Sequence, residues 1–151
     1  MIIDTSIFIS DALSPGRTGA ASQVLVALPT LATIVLCEDI RDELMEKLVE
    51  KFHWTERRVL ESYGPVIDAA VWVTPVEEQP WHRKVVKGDP DDTMLPRTAE
   101  AVYVQKISLI DAGQDRFIVS ANPKHLVPGA AYSGFLFVTA HDLLLRMPDW
   151  S

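Results

Sequence analysis

The feature that most constrains the fold is the alternation of short apolar runs with helical patterns. Runs of strand length occur at five points of the chain: MIID, ATIVL, VWVT, RFIVS and FLFVT. Strands that are apolar throughout are typical of parallel sheets buried on both faces. Helices between such strands indicate βαβ units. The sequence therefore predicts a three-layer α/β domain in which five parallel strands are flanked by helices.

The helical patterns differ in how clearly they begin and end. In EDIRDELMEKLVEKF an apolar residue recurs at every fourth position and predicts one buried stripe. The stripe residues are Ile40, Leu44, Leu48 and Phe52. Pro29 marks the expected end of an earlier helix, and Pro65 marks a possible break in a later one. Pro96 lies four residues beyond Asp92, so a helix there either starts late, near Pro96, or has a distorted first turn.

Size, composition and charge exclude several classes of protein. A chain of 151 residues suits one domain spanning residues 1–151. No apolar run approaches the length of a membrane span, and MIID does not resemble a secretory signal. The single cysteine, Cys37, excludes an internal disulfide, so we expect a cytoplasmic protein. The net charge of −7 argues against binding nucleic acid by bulk charge, but not against an enzyme that uses bound cations.

Four oxygen-bearing side chains occur near the predicted carboxyl ends of strands. Asp4 ends the first strand, and Glu43 lies one to two turns into the helix after the second. Asp92 opens the helix that leads to the fourth strand, and Asn122 follows that strand. Parallel strands present their carboxyl ends at one edge of the sheet, where ligands bind. If the first and fourth strands are neighbours, all four groups can meet there.

Carboxylate and amide oxygens favour Mg²⁺ or Mn²⁺ over zinc. A bound cation would explain why Asp4 is charged at the end of a buried strand, and it would support phosphodiester hydrolysis. Simpler explanations stay open for each residue. Asp4 could cap the following helix, Glu43 could lie on a solvated helix face, Asp91 and Asp92 could cap a helix, and Asn122 could form only a turn.

Several segments resemble PIN-domain ribonucleases. IIDTSIFISDALSPG resembles their opening, LCEDIRDELMEKL their acid-rich second segment, GDPDDTML their central acidic turn, and RFIVSANPKHL their fourth-strand segment. These segments occur in the expected order over nearly the whole chain. The closest subgroup is formed by bacterial PIN proteins that are toxins of toxin–antitoxin pairs. The family fold has a five-stranded parallel sheet in the order 3-2-1-4-5, which implies that the first and fourth strands are neighbours.

The resemblance also implies roles for particular residues. Asp4 matches the first metal ligand, Glu43 the second and Asp92 the third, with Asp91 as a competing ligand in the same turn. Asn122 stands where the family has Asp and sometimes Asn, which would weaken the binding of a second metal ion. Thr5 or Ser6 is expected to lie beside Asp4 and to orient it by hydrogen bonding, and Ser120 is a further residue expected to support the ligands.

The activity that the resemblance implies is endoribonuclease cleavage of RNA with Mg²⁺ or Mn²⁺, with Asp4, Glu43 and Asp92 as the catalytic residues. It further implies a homodimer and an antitoxin protein that covers the acidic pocket. The alternative is a catalytically weak PIN-like module that binds RNA or protein, which Asn122 and Pro96 favour. A phosphatase of another α/β family ranks low, because Ser6 stands where its Asp-x-Asp motif needs the second Asp.

Basic side chains near the predicted edge are candidates for contacts with phosphate. Arg83 and Lys84 precede the acidic turn and are predicted to guide an RNA backbone toward the metal. They belong to a basic cluster with His82 and Lys87, and Arg57–Arg58 form a second cluster. Lys124 and His125 are further candidates, and a solvated surface is the simpler explanation for all of them.

Overall fold

The protein is described by a computed structural model that covers residues 1–86, 93–105, 116–121, 129 and 131–150. Within these residues, a six-stranded sheet is flanked by seven helices. The strands are β1 (Ile2–Ile3), β2 (Val35–Cys37), β3 (Val71–Val73), β4 (Phe117–Ser120), β5 (Ala131–Tyr132) and β6 (Phe135–Thr139). The helices are α1 (Thr5–Leu13), α2 (Ala20–Leu31), α3 (Asp39–Met45), α4 (Glu56–Ala69), α5 (Pro80–Val85), α6 (Met94–Val104) and α7 (Ala140–Arg146). No helix in this described part is long and apolar enough to cross a membrane.

The sheet order is β3-β2-β1-β4-β6-β5, and every neighbouring pair is parallel except β5 and β6. The α/β prediction and the neighbouring first and fourth strands are therefore confirmed, and FLFVT forms β6. The prediction of five strands is wrong, because β5 adds an antiparallel edge strand. It joins β6 through Ser133 and Gly134, whose positive φ angles of 49° and 83° suit a tight hairpin turn. Two residues are too short a strand to show a periodic pattern.

Both faces of the sheet are covered, which explains why its strands are apolar throughout. Successive strand residues point to opposite faces. Ile3, Leu36 and Val119 belong to a core shared with α1, α2, α3, α4 and α7. Ile2 and Ile118 belong to the core on the other face, which α6 covers. The sheet is thus the middle layer of three, and its carboxyl edge is the part left open to ligands.

The helices depart from their predicted limits at three places. Pro29 lies inside α2 and Pro65 inside α4, so neither proline ends or breaks its helix. Burial of Tyr63 and Val66 on α4 outweighs the one backbone hydrogen bond that Pro65 removes. A π-helical segment, Glu46–Lys51, continues α3. The turns of a π-helix are wider than those of an α-helix, so a spacing of four residues keeps side chains less closely aligned on one face. The predicted apolar stripe is therefore buried as far as Leu48, whereas Phe52 is 40% exposed.

The first turn of α6 accommodates Pro96 without distortion. The helix begins at Met94 with Thr93 as its N-cap residue, so Pro96 is the third helical residue. The N–H groups of the first turn have no partner within the helix, and a proline there loses nothing. The late start of this helix is therefore confirmed. Either outcome was expected to shift Asp92 relative to Asp4, and Asp92 lies outside the described residues.

A buried carboxylate fixes α1 to α4. Asp11 is 1% exposed and accepts hydrogen bonds from Arg17 Nη2 at 2.6 Å and from the Tyr63 hydroxyl at 2.7 Å. The same hydroxyl lies 3.0 Å from the carbonyl oxygen of Phe8. Burial opposes ionisation, but the bonds from Arg17 and Tyr63 hold the pKa of Asp11 below its ordinary value. This cluster matters for the site described below, because α1 begins directly after Asp4.

Removing the Tyr63 hydroxyl tests how much this cluster stabilises the fold. We expect Tyr63→Phe to lower the free energy of unfolding by about 1–3 kcal/mol, since it removes a donor to a buried carboxylate. Urea unfolding followed by circular dichroism measures the change. Tyr103→Phe is the matched control, because Tyr103 is 63% exposed and its loss should change the value by less than about 0.5 kcal/mol. Equal stabilities for the two variants would contradict the assignment.

The lowered pKa of Asp11 predicts a loss of stability in acid. The unfolded chain protonates this carboxyl near its ordinary pKa of 3.8, whereas the folded chain keeps it ionised to lower pH. The stabilisation is therefore complete above that value and is lost as the pH falls through the folded-state pKa. The difference in unfolding free energy between the wild type and Asp11→Asn should shrink as the pH falls from 6 to 3. The exposed Asp149→Asn is the control, and an equal shrinkage there would contradict the prediction.

Candidate active site

The pairing of β1 with β4 places Asp4 at the carboxyl edge of the sheet. The register pairs Ile2 with Ile118 and Ile3 with Val119. The backbone N–H of Asp4 donates to the carbonyl oxygen of Val119 at 3.0 Å, which continues the ladder one residue further. Asp4 therefore lies beside Ser120, the last residue of β4. The neighbouring strands on which the sequence argument depended are present.

Two serine hydroxyls hold the carboxylate of Asp4. Ser6 Oγ donates to Asp4 Oδ2 at 2.5 Å, and Ser120 Oγ donates to the same oxygen at 2.8 Å. Ser6 Oγ also accepts the backbone N–H of Ala121 at 2.9 Å. The two hydroxyl oxygens lie 3.0 Å apart, so Ser6, Ser120 and Asp4 form one hydrogen-bonded cluster. Asp4 precedes α1 as its N-cap residue, but its side chain makes no capping hydrogen bond.

Glu43 lies on the second turn of α3, and both of its oxygens are engaged. Thr5 Oγ1 donates to Oε2 at 2.8 Å, and Lys47 Nζ donates to Oε1 at 2.6 Å. Its side chain is 43% exposed, so it is only partly solvated. Thr5 was expected beside Asp4 but binds the second predicted ligand. The first turn of α1 thus contacts both carboxylates, Asp4 through Ser6 and Glu43 through Thr5.

Asp4 and Glu43 line one cleft, which has a volume of about 610 Å³. One wall is formed by the end of β1, by α3 and by the π-helical segment, and the other by the start of α6. In the described part of the chain, the charged residues that line the cleft besides Asp4 and Glu43 are Glu46, Lys47, Lys51, Glu78 and Arg97. The cleft therefore combines carboxylates with ammonium and guanidinium groups.

The α6 side of the cleft is held by Glu78. Thr93 Oγ1 donates to Glu78 Oε1 at 2.8 Å, and Arg83 Nη2 donates to Glu78 Oε2 at 2.7 Å. The bonds from Arg83 and Thr93 keep the pKa of Glu78 below its ordinary value. Arg97 is fixed through Nε, which donates to the carbonyl oxygen of Val76 at 2.7 Å. The loop after β3 thus positions the start of α6, and Thr93 directly follows the predicted ligand Asp92.

The structure brings together only part of the predicted site. Asp4 and Glu43 share the cleft, and Thr5, Ser6 and Ser120 hydrogen-bond to them. Asp91, Asp92 and Asn122 lie outside the described residues, as do Lys87, Lys124 and His125. Among the residues that are described, no group of three or more His, Cys, Asp or Glu side chains is placed to hold a metal ion.

Among the described residues, the basic side chains that line the cleft are Lys47, Lys51 and Arg97, which were not proposed from the sequence. Arg83 bonds to Glu78, and His82 is completely buried instead of belonging to a basic surface. The Nδ1 atom of His82 accepts the N–H of Gln79 at 2.7 Å, and its Nε2 lies 2.6 Å from Glu100 Oε2. The positions of the two lysines in the cleft could have been predicted from the sequence. Lys47 and Lys51 follow Glu43 at intervals of four, which places all three on one helix face.

An apolar groove of about 370 Å³ adjoins the cleft. Its walls are formed by one side of α1 and by the end of the π-helical segment. The lining residues are Ser6, Ile9, Ser10, Leu13, Lys47, Lys51 and Phe52. Lys47 and Lys51 line the cleft as well. These two lysines therefore stand between a polar cleft and an apolar groove.

The donor atoms of the cleft fit a hard divalent cation. Mg²⁺ keeps several of its waters in proteins and is held by one or two carboxylates together with substrate phosphates. Asp4 and Glu43 supply two carboxylates in one cleft, and the serine hydroxyls keep the first of them oriented. Cys37 also lines the cleft, but burial raises the pKa of its thiol, which disfavours the thiolate that a soft metal needs.

Comparison with known proteins agrees with this geometry. A family model described as PIN domain matches residues 1–123 of the 151-residue chain. No curated protein and no solved structure matches the chain. PIN domains are generally nucleases, and they usually bind divalent metals. Because the match covers most of the sequence, the chain belongs to the PIN-domain family.

Proposed function

We propose that this protein is a ribonuclease that hydrolyses RNA phosphodiester bonds with Mg²⁺ or Mn²⁺. The observation that carries the proposal is the shared cleft of Asp4 and Glu43, which lie 39 positions apart in the chain. Both carboxylates are held by hydroxyl groups at the carboxyl edge of the sheet. The nuclease activity general in the PIN family supports the same reaction class.

Each group of the cleft has a chemical role in this proposal. Asp4 and Glu43 hold the cation, and Asp92 and Asn122 are proposed to complete its ligands. The chemistry that a bound divalent cation would supply here is an activated water and stabilisation of charge on the phosphoryl oxygens. Lys47, Lys51 and Arg97 then contact the phosphate backbone of the RNA, so that the cleft attracts an anion despite the net charge of −7. A volume of about 610 Å³ is in the range of clefts that enclose ligands of nucleotide size.

The biological setting is proposed from the resemblance to bacterial PIN toxins. In that setting the protein is the toxin of a toxin–antitoxin pair, it forms a homodimer, and an antitoxin covers the acidic cleft with a basic side chain. Although the cleft also contains cationic side chains, its carboxylates Asp4, Glu43 and Glu46 offer partners for such a basic side chain. Light scattering measures the oligomeric state, and a small reading frame beside the gene would identify the antitoxin.

Neutralising either carboxylate tests the proposed reaction. We expect Asp4→Asn and Glu43→Gln each to lower RNA cleavage at saturating Mn²⁺ by about 100-fold or more, because each removes a ligand of the cation. Asp42→Asn is the matched control, since Asp42 is an exposed carboxylate next to Glu43 in the chain and does not line the cleft. Cleavage of a fluorescent single-stranded RNA measures the rates. Undiminished cleavage by Asp4→Asn would contradict the proposed site.

The same RNA-cleavage assay distinguishes the proposed ribonuclease from the alternative function. A catalytically weak module would bind RNA without cutting it at any Mg²⁺ or Mn²⁺ concentration. One argument for that alternative is Pro96, which lies in the first turn of a helix that begins late, at Met94, and its effect on Asp92 lies outside the described residues. The other argument, Asn122, lies outside the described residues. Metal-stimulated cleavage that depends on Asp4 would exclude the module.

Ser6, one of the two serines that bond to Asp4, provides a second test of the proposed metal site. We expect Ser6→Ala to weaken Mn²⁺ binding by about tenfold, because a hydrogen-bonded partner of a metal ligand typically contributes a factor of 10 to 100. Ser10→Ala is the control, since Ser10 lies one turn further along α1 and is exposed. Electron paramagnetic resonance of free Mn²⁺ gives the affinities. The account of Asp4 would be wrong if Ser6→Ala and Ser10→Ala bound Mn²⁺ equally well.

A further inference from the structure

The Lys47 ammonium binds one of the two carboxylate oxygens of Glu43. Its Nζ atom lies 2.6 Å from Glu43 Oε1, while Thr5 Oγ1 donates to Oε2 at 2.8 Å. Lys47 and Glu43 are four residues apart, and their side chains are 37% and 43% exposed. An ion pair of this exposure and spacing contributes little to stability. The pair with Glu43 by itself therefore adds little to the cost of moving the ammonium of Lys47, a residue that also has interactions other than this one.

A divalent cation and an ammonium group compete for the same carboxylate oxygen. Two positive charges within a few ångströms repel each other, and the repulsion is stronger in a cleft than in bulk water. Lys47 lines both the cleft and the adjoining apolar groove. Its flexible four-carbon stem can thus carry the ammonium away from Glu43 on the groove side without leaving the surface of the protein.

We infer that Lys47 is a positioning residue that acts as an internal counter-cation. It holds Glu43 when no metal is bound and is displaced when a divalent cation binds. This inference rests on the proposed function, because it needs Glu43 to be a metal ligand. It assigns Lys47 a role in setting the metal affinity of the site, beyond the phosphate contact proposed above. Thr5 is not displaced, since it donates to the other oxygen of Glu43.

Metal binding by four variants tests this role without an activity measurement. Removing the competing ammonium in Lys47→Met should tighten Mn²⁺ binding about two- to fivefold, the factor that corresponds to a half-exposed ion pair of this kind. Lys47→Gln is a second neutral variant and should show the same direction. Lys47→Arg keeps the charge and should bind Mn²⁺ within about twofold of the wild type.

Lys51→Met is the matched control. Lys51 lies one turn further along the same helix and lines the same cleft, so its removal changes the net charge of the cleft equally. The Lys47 ammonium bonds to Glu43, and its loss should therefore affect Mn²⁺ affinity more than the loss of Lys51. Isothermal titration calorimetry and electron paramagnetic resonance measure the affinities. The rise in melting temperature at a fixed Mn²⁺ concentration should also be largest for Lys47→Met and Lys47→Gln.

The outcomes separate this inference from the proposed function. If the wild type binds Mn²⁺, Asp4→Asn does not, and both neutral Lys47 variants bind no tighter than Lys51→Met, then the role of Lys47 is wrong and the metal site stands. If neither the wild type nor any Lys47 variant shows Mn²⁺ binding that depends on Asp4, then both proposals are overturned. Tighter binding by Lys47→Met and Lys47→Gln alone, with Lys47→Arg unchanged, supports the inference.

Discussion

The site depends on the parallel pairing of β1 with β4. This pairing continues one residue past the end of β1, through the hydrogen bond from the N–H of Asp4 to Val119. The bond fixes the backbone of Asp4 at the sheet edge and brings its carboxylate to Ser120. A shift of one residue in this register would turn the side chains of β1 to the opposite faces. The buried residues Ile2 and Ile3, which belong to different cores, oppose such a shift.

The first turn of α1 follows the end of β1 and positions the carboxylates of Asp4 and Glu43. Ser6 contacts Asp4 and the backbone of Ala121, and Thr5 contacts Glu43. These hydrogen bonds stabilise charged groups that would otherwise be costly at the edge of an apolar core. The far end of the same helix is fixed by the buried carboxylate of Asp11, which interacts with Arg17 and Tyr63. The helix is thus held at both ends, and the orientation of the site follows from its rigidity.

Much of the architecture could be predicted from sequence because burial on both faces leaves a simple pattern. The apolar strands, the position of Asp4 at a strand end and that of Glu43 on the following helix all follow from short-range periodicity. Interactions between residues distant in the chain left no such pattern. The Asp11 and Tyr63 contact spans 52 positions, and nothing near either residue in the sequence indicates it. The hairpin of β5 was missed because its strand is only two residues long.

To predict some details of the site, one must know the directions in which the side chains point as well as their order in the sequence. Thr5 follows Asp4 in the chain, which suggested that it would orient Asp4, but in the helix it faces α3 and contacts Glu43. No role for Lys47 or Lys51 was proposed from the sequence, although Lys47 follows Glu43 by four residues and pairs with it, and both lysines line the cleft. Arg97 lines the cleft because it lies near the start of α6, the helix that was predicted to begin at this edge, but no pattern around Arg97 singled it out.

The central claim is that Asp4 and Glu43 share one divalent cation at the carboxyl edge of the sheet. Anomalous scattering from a crystal soaked in Mn²⁺ tests it most directly. The account predicts an anomalous peak in the cleft within coordination distance of both carboxylates, about 2.0–2.6 Å from their oxygens. A well-soaked crystal with Mn²⁺ bound elsewhere, and with no peak between Asp4 and Glu43, would contradict it.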